Sequence, residues 1–493
     1  MESDRSFRFS QDKHGTQDVY GTSGAESDYY QEPVPLDKVP SSAAHDMAPP
    51  PAHPMIEPTP SRRSRASENS GGNYYQDGYD ENTNELDSQG EYDFPEGGWK
   101  AWLVVFGSWC GMTSSFGFIN SAGFIQAWLN ENQLKDKGES EVSWIFSVYL
   151  FLLFFGGVQF GPLFDAYGLK FLIVPGCIGI ILSIFFLSLA KEYYQFMLGF
   201  GILGGISSSM VFTPSIAVVG HWFYQRRGLA TGIAATGGAV GGLVFPLAMN
   251  KMSGQLGFAW TIRVVGFIMI GLCAGVVLTL RTRLPPNKAA GGSIDLKQFK
   301  DMRFVLVCIG TFMIEWGLFV PLNYIASYAI SQGVSKGLAY NIPAFLNVGS
   351  IFGRCLPGYM ADVFGRFNVM IFTASITGIL CLALWLPAGS NIAATIAFAV
   401  LFGFWSGTGI CLVPVCISQI CNTEDYGKRY GTCYFIVSFG VLTGLPIAGE
   451  LIKTQNGAYT GLIGFSGATY LCGAIFYLVA RIVGGGWSVK KIY

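Results

Sequence analysis

The chain is short of charge and almost without histidine. Only 13% of its 493 residues are Asp, Glu, Lys or Arg, about half the share found in ordinary soluble domains. The formal net charge is −1, so there is no basic field to attract nucleic acid, and no nucleic-acid partner is expected. Of four histidines, His14, His45 and His53 fall in a polar N-terminal stretch and His221 at the end of an apolar one. Enzymatic chemistry needs a convergent nucleophile, base or metal-ligand set. No such set is visible, which argues against an enzyme, a metal or a cofactor. The eleven cysteines lie in or beside apolar segments and none forms a CxxC; they read as buried, inert thiols rather than disulfides or metal ligands. No apolar run occupies the first 15–30 residues, where a secretory signal would lie, so the first span is expected to act as its own targeting signal.

What the chain has instead is hydrophobicity. Apolar residues make up 51% of it, with a mean hydropathy of +0.39, and they concentrate between Ala101 and Val483. Residues 1–93 are rich in Ser, Pro, Gly, Asp and Glu and hold too few aliphatics to offset ordering entropy, so they read as a disordered tail. Within it "SRRSRAS" (Ser61–Ser67) is either a solvated charge run or a phosphorylation site.

A bilayer core takes about 20 apolar residues per helix, and twelve segments qualify. They lie near 101–129, 142–164, 171–190, 194–223, 228–250 and 258–280, then near 304–330, 338–360, 367–387, 391–420, 429–452 and 459–483. Between the sixth and seventh lies "RTRLPPNKAAGGSIDLKQFKDMR", whose Pro-Pro and Gly-Gly pairs mark a linker. The expectation is an all-α membrane protein of twelve transmembrane helices in two pseudo-symmetric six-helix bundles. The bundles cover 94–280 and 304–483, joined by a linker over 281–303 and followed by a short tail, 484–493. With the N-terminal tail inside, sixteen of the 31 lysines and arginines fall on inner flanks and six in outer loops. The positive-inside rule then puts both termini in the cytoplasm, with the plasma membrane the expected location.

The two halves share a motif. "GPLFDAYGLK" (Gly161–Lys170) and "GYMADVFGRF" (Gly358–Phe367) both read G-x-x-x-D-x-x-G followed by a basic residue, about 197 residues apart. Gly and Asp four apart share one helix face. The glycine permits close approach of a neighbouring helix. The aspartate, at a helix end, can accept from the free N–H groups of a neighbouring helix or pair with a loop arginine. Gly161, Asp165, Gly168 and Lys170, with Gly358, Asp362, Gly365 and Arg366, are therefore candidate gating residues. They would hold the halves together on one side and release them when the halves rock apart. A second pair, "TPSIAVVGHWFYQRRGLATG" and "VPVCISQICNTEDYGKRYGT", aligns Pro214 with Pro414 and, roughly, Arg227 with Arg429.

The twelve spans and the doubled motif resemble the major facilitator superfamily. More narrowly, "PEGGWKAWLVVFGSW" (Pro95–Trp109) resembles the acidic-Gly-Gly-Trp-x-Trp start of span one in monocarboxylate porters. "HWFYQRRGLATGIAATGGAVGG" (His221–Gly242) is similar to their fifth span, with its paired arginines Arg226 and Arg227, which join the gating set, and its small-residue face. The fungal branch, with long acidic tails, is the most similar. The resemblance covers residues 94–483 and implies a secondary transporter working by alternating access. Its solute would be a small organic, anionic molecule, with a proton as candidate co-substrate and the lipid bilayer as its setting. Efflux of a fungal secondary metabolite is the leading expectation; uptake of a monocarboxylate or riboflavin-like nutrient is the alternative. The chain departs from proton-coupled animal members, which carry a lysine in span one and an aspartate four residues before the arginine of span eight. Asn120 stands in place of that lysine and Ser350 in place of that aspartate, while Arg354 is kept.

Few ionisable groups lie deep in a span, where each costs about 2.5–3.5 kcal/mol on insertion scales. The guanidinium of Arg354 suits a planar anion, with a structural pair to Glu315 as the alternative. Glu315, in "GTFMIEWGLF", is either a proton site or that counter-ion. Arg354, Asn120 and Glu315 are thus the candidate substrate-binding residues. Arg263 reads as snorkelling to the interface and Glu450 as solvated. Trp316, Phe404 and Trp405 either line an aromatic-tolerant cavity or pack. "TGIAATGGAVGG" follows no strand and ends in no basic residue, so it is a helix-contact face rather than a phosphate cradle.

Overall fold

In lipid every backbone polar group must find its partner within the protein, which leaves long apolar runs to form helices. The computed structural model describes residues 94–284, 296–422 and 425–486, and among these no strand occurs. The N-terminal tail with Ser61–Ser67, the centre of the linker and residues 487–493 lie outside the described residues. Six long helices come first: α1 (Gly98–Glu131), α2 (Glu141–Tyr167), α3 (Lys170–Leu189), α4 (Tyr193–His221), α5 (Arg227–Leu256) and α6 (Phe258–Thr279). Six follow the linker: α7 (Met302–Ser331), α8 (Ile342–Phe364), α9 (Arg366–Trp385), α10 (Ile392–Gln419), α11 (Tyr426–Thr454) and α12 (Thr460–Gly485).

Eleven of these are long and apolar enough to cross a membrane by themselves; α8 is the exception. Its polar residues face protein. Asn347, Ser350 and Arg354 are buried, whereas Phe345, Val348, Phe352, Leu356, Tyr359 and Val363 form an exposed apolar stripe at helical spacing. This helix is built the opposite way round from an amphipathic helix of a soluble protein. It also starts later than the expected 338, because a separate short helix, Lys336–Ala339, precedes it and Pro343 sits in its first turn. On α3 an apolar stripe (Phe171, Val174, Ile178, Leu182, Phe186) is likewise exposed, as suits a lipid-facing helix.

α1 is not continuous. Its α-helical part ends at Met112 and a π-turn, Thr113–Gly117, follows. Widened turns free carbonyls for other donors. Here Thr113 donates to the Trp109 carbonyl at 2.8 Å and Ser115 to that of Gly111 at 2.6 Å. The duplication extends to the prolines inside helices: Pro162 and Pro357, Pro214 and Pro414, Pro246 and Pro446 recur in equivalent helices. Between the halves α5 lies against α8 and α2 against α11, and these two contacts carry the site.

Candidate functional site

The repeated motif joins the two halves at one end of the bundle twice, by the same geometry. Asp165, at the end of α2, accepts from the backbone N–H of Gly427 at 3.2 Å and of Lys428 at 2.8 Å, in the first turn of α11. Asp362, at the end of α8, accepts from Gly228 and Leu229, both at 2.8 Å, in the first turn of α5. Each aspartate thus caps a helix of the opposite half, satisfying donors that a helix start leaves free at the positive end of its dipole. Of the two partners expected from sequence, helix N–H groups or a loop arginine, the structure forms the first.

The glycines make these caps possible. A Cβ at Gly161 would collide with the Gly427 carbonyl, and one at Gly358 would lie 2.6 Å from the Gly228 oxygen. Gly168 (φ 80°) and Gly365 (φ 95°) occupy the left-handed region that glycine enters without penalty, and there they end α2 and α8.

Lys170 is the exposed first residue of α3, while Arg366 donates to the Tyr224 carbonyl in the α4–α5 loop and covers the Tyr224 ring at 5.7 Å. The paired arginines bind elsewhere than the aspartates. Arg227, 2% exposed, gives Nε to the Phe223 carbonyl at 2.8 Å and Nη2 to that of Gly220, tying α5 to the end of α4. Arg226 is exposed. Register also corrects the rough pairing of Arg227 with Arg429: the caps match Gly228 to Gly427, so Arg227 matches Tyr426. Arg429 still does a similar task three positions on, donating to Ile420 at 2.9 Å and Asp301 at 3.2 Å. Burial raises the pKa of the Asp301 carboxyl, but its bonds from Arg303 and Arg429 outweigh that and hold it below the usual carboxylate range.

About two turns along α8 from Asp362, the halves meet around Arg354. It is 3% exposed; Nε donates to Ser350 Oγ at 3.2 Å, Nη1 to the Ala235 carbonyl of α5, and the guanidinium lies 6.0 Å from the Phe116 ring centre. The structural pair with Glu315 is not formed. Glu315 is 1% exposed and its Oε1 has no hydrogen-bond partner. Asn120 joins Arg354 through a shared neighbour: its Nδ2 donates to the Gly238 carbonyl at 3.2 Å, and a Cβ at Gly238 would stand 2.9 Å from Arg354 Nη1. The small-residue run of α5 is therefore a contact face, as expected.

Sequence reasoning missed the aromatic wall. Phe116 (α1), Phe154 (α2) and Phe212 (α4) pack with centroids 5.7–6.3 Å apart. From the other half Tyr434 (α11) meets Phe154 at 5.3 Å and Phe212 at 6.0 Å, and Phe319 (α7) meets Phe154 at 6.2 Å. Single phenylalanines in an apolar sequence carry no signal of this. Trp405 instead packs on Phe372 of α9 and on its neighbour Phe404, and Trp316 on Phe465 of α12. Also missed was Glu96, whose carboxylate accepts from three consecutive N–H groups of the α4–α5 loop. Tyr224 and Gln225 donate to Oε1 at 2.6 Å each and Arg226 to Oε2 at 3.0 Å. Its place in "PEGGW" was the one available clue.

Arg263 covers the Trp260 ring at 4.9 Å, as suits a snorkelling residue. Glu450 is exposed and bridges to Lys453 at 3.7 Å.

Two helical halves clamped reciprocally at one end, with a buried cation and aromatic groups between them, define a multi-pass membrane carrier rather than an enzyme. The sequence profile of the Major Facilitator Superfamily matches residues 101–357 and 344–489, and the chain belongs to that superfamily of transporters. Its relatives include "MFS transporter asaE" of Aspergillus flavus, 38% identical over 81% of this chain and 90% of that one. The "Fujikurins efflux protein" of Gibberella fujikuroi is 36% identical over 79% and 84%. "Riboflavin transporter MCH5" of Saccharomyces cerevisiae is 36% identical over 82% of each. Among solved structures, the human organic anion transporter MFSD10 superposes with a TM-score of 0.61 at 12% identity, over 76% of this chain and 98% of that one. The proton:xylose symporter XylE does so with 0.60 at 14%, over 80% and 97%. At such identities these two speak for the fold alone.

Proposed function

We propose that the chain is a carrier of the fungal monocarboxylate-porter type that exports a small organic anion with an aromatic or otherwise flat body. The observation that carries this is Arg354, a buried guanidinium at the junction of the halves, set against a wall of rings drawn from both. A planar anion would take the fork of Arg354 while its body stacks on Phe116, Phe154 and Tyr434, the combination of few polar groups and a largely apolar lining that small-molecule sites use. Alternating access would move the chain between the conformation described, closed at the motif end, and one in which both aspartate caps have parted. The lysine and arginine distribution favours a cytoplasmic motif end and cytoplasmic termini, in the plasma membrane, with a proton as co-substrate. Efflux is favoured by the one relative above that is named as an efflux protein. The relative named for riboflavin supports a second reading, uptake of a flat heteroaromatic nutrient.

The test is transport in yeast expressing the chain, with a panel of aromatic carboxylate metabolites and riboflavin followed inside and outside the cell. Export of an aromatic carboxylate that Arg354→Ala abolishes supports the first reading. Riboflavin accumulation supports the second. Transport of neutral solutes alone, unaffected by Arg354→Ala, defeats both.

A further inference from the structure

Glu315 raises a question that anion binding leaves unanswered. A carboxylate inside a membrane protein persists as an ion only if a cation or several donors satisfy it. Glu315 is 1% exposed, forms no ion pair, and leaves Oε1 without a partner. The groups facing it come from three helices. Arg354 on α8, Tyr430 and Tyr434 on α11, and Tyr470 on α12 are each near enough to interact with it electrostatically. The phenol oxygens of those three tyrosines also lack hydrogen-bond partners of ordinary geometry. Arg354 is the one cation in this set, and in this conformation it is committed elsewhere, to Ala235 across the halves and to Ser350.

We propose that Glu315 is the proton-binding site of the carrier, loaded as a neutral acid while the motif end is closed. The proposal rests on the transporter reading above and adds the site and the conformation at which the proton binds. The coupling follows from Arg354. Its bond to the Ala235 carbonyl joins α8 to α5, the helix pair that the Asp362 cap also joins, so parting the halves there withdraws that acceptor. A freed guanidinium then needs an anion, and the two candidates are ionised Glu315 and the transported solute. When no solute is present, the Glu315 proton passes to water entering at the opened end and the carboxylate pairs with Arg354. When an anion occupies Arg354, Glu315 keeps its proton. Proton and anion binding are thereby linked reciprocally.

The site can be tested without knowing the solute. Full-length protein in liposomes at pH 7, examined by infrared difference spectroscopy, should show a protonated-carboxyl C=O band that Glu315→Gln removes and Glu315→Asp shifts. In the Asp165→Asn/Asp362→Asn variant, which loosens the motif end, the same band should lose at least half its intensity. Should Glu315→Gln fail to fold, the shift in Glu315→Asp identifies the band. A wild-type spectrum matching that of Glu315→Gln, or a band unmoved in Glu315→Asp, overturns the proton site. A Glu315 band of full intensity in the loosened variant overturns its conformational coupling. Because the measurement uses no solute, a band with no transport of any panel compound would fault the solute assignment and leave the proton site standing.

Discussion

At the scale of single residues, Arg354 is where charge, geometry and position coincide. It was legible in the sequence as a rare intramembrane cation, but its surroundings were not. Lysine in its place keeps the charge and loses the planar fork, so Arg354→Lys should raise the apparent KM about tenfold or more with a smaller effect on the maximal rate. Arg354→Ala should leave almost no transport at equal surface expression. An unchanged KM in the lysine variant would show that the guanidinium shape is irrelevant to binding. Glu96 acts on a different scale of effect. It holds three N–H groups of a loop that also receives Arg366, and a hydrogen bond to a charged group contributes about 1.5–3 kcal/mol. Glu96→Ala should therefore loosen the α4–α5 loop and lower the melting temperature of the purified protein, while Glu96→Gln, still an acceptor, should be milder. Equal melting temperatures in all three would remove this positioning role.

At the scale of elements, the two inter-half contacts are built on glycine and aspartate at matching positions. The pair of readings attached to the motif in the sequence, close approach and helix capping, differ in what they expose to test. Gly161→Ala and Gly358→Ala each push a Cβ against a backbone carbonyl, which cannot rotate aside. Both should bias the carrier toward the form open at the motif end. Asp165→Asn and Asp362→Asn weaken the caps instead and should shift the same balance without preventing insertion. The reporter is Cys421, partly buried near the start of α11. Its labelling by a polar maleimide should rise several-fold in all four variants, and labelling at the wild-type rate would show that the motif does not hold this end shut. Span eight was the element that the sequence delimited least well, since its polar face is needed by the protein and dilutes the apolar signal.

At the scale of the whole molecule, the described helical body begins with residues 94–97, which lead into α1. The body holds the caps, the aromatic wall and Arg354, so removal of residues 1–90 should leave transport by the reconstituted protein within about twofold of wild type. Extending the deletion through Gly97 takes Glu96 from the α4–α5 loop and should cut transport sharply. Inactivity of a folded protein lacking 1–90 would mean that the tail takes part in the transport cycle itself.

The sequence alone determined twelve helices, their division into six and six, the repeated G-x-x-x-D-x-x-G motif and the presence of an intramembrane arginine and glutamate. These follow from hydrophobic length, charge placement and recurrence, which are properties of the chain in order. Only the tertiary structure decided that Asp165 reaches α11 and Asp362 reaches α5, and that Arg354 bonds Ala235 while Glu315 stays unpaired. It alone gathered Phe116, Phe154, Phe212, Phe319 and Tyr434, spread over more than 300 residues, into one wall. Hydrophobicity puts a phenylalanine in the membrane without saying which neighbour it meets, because lipid and protein interior are alike to it. That choice is made by close helix packing, where a glycine here and a bulky ring there fix which faces can touch.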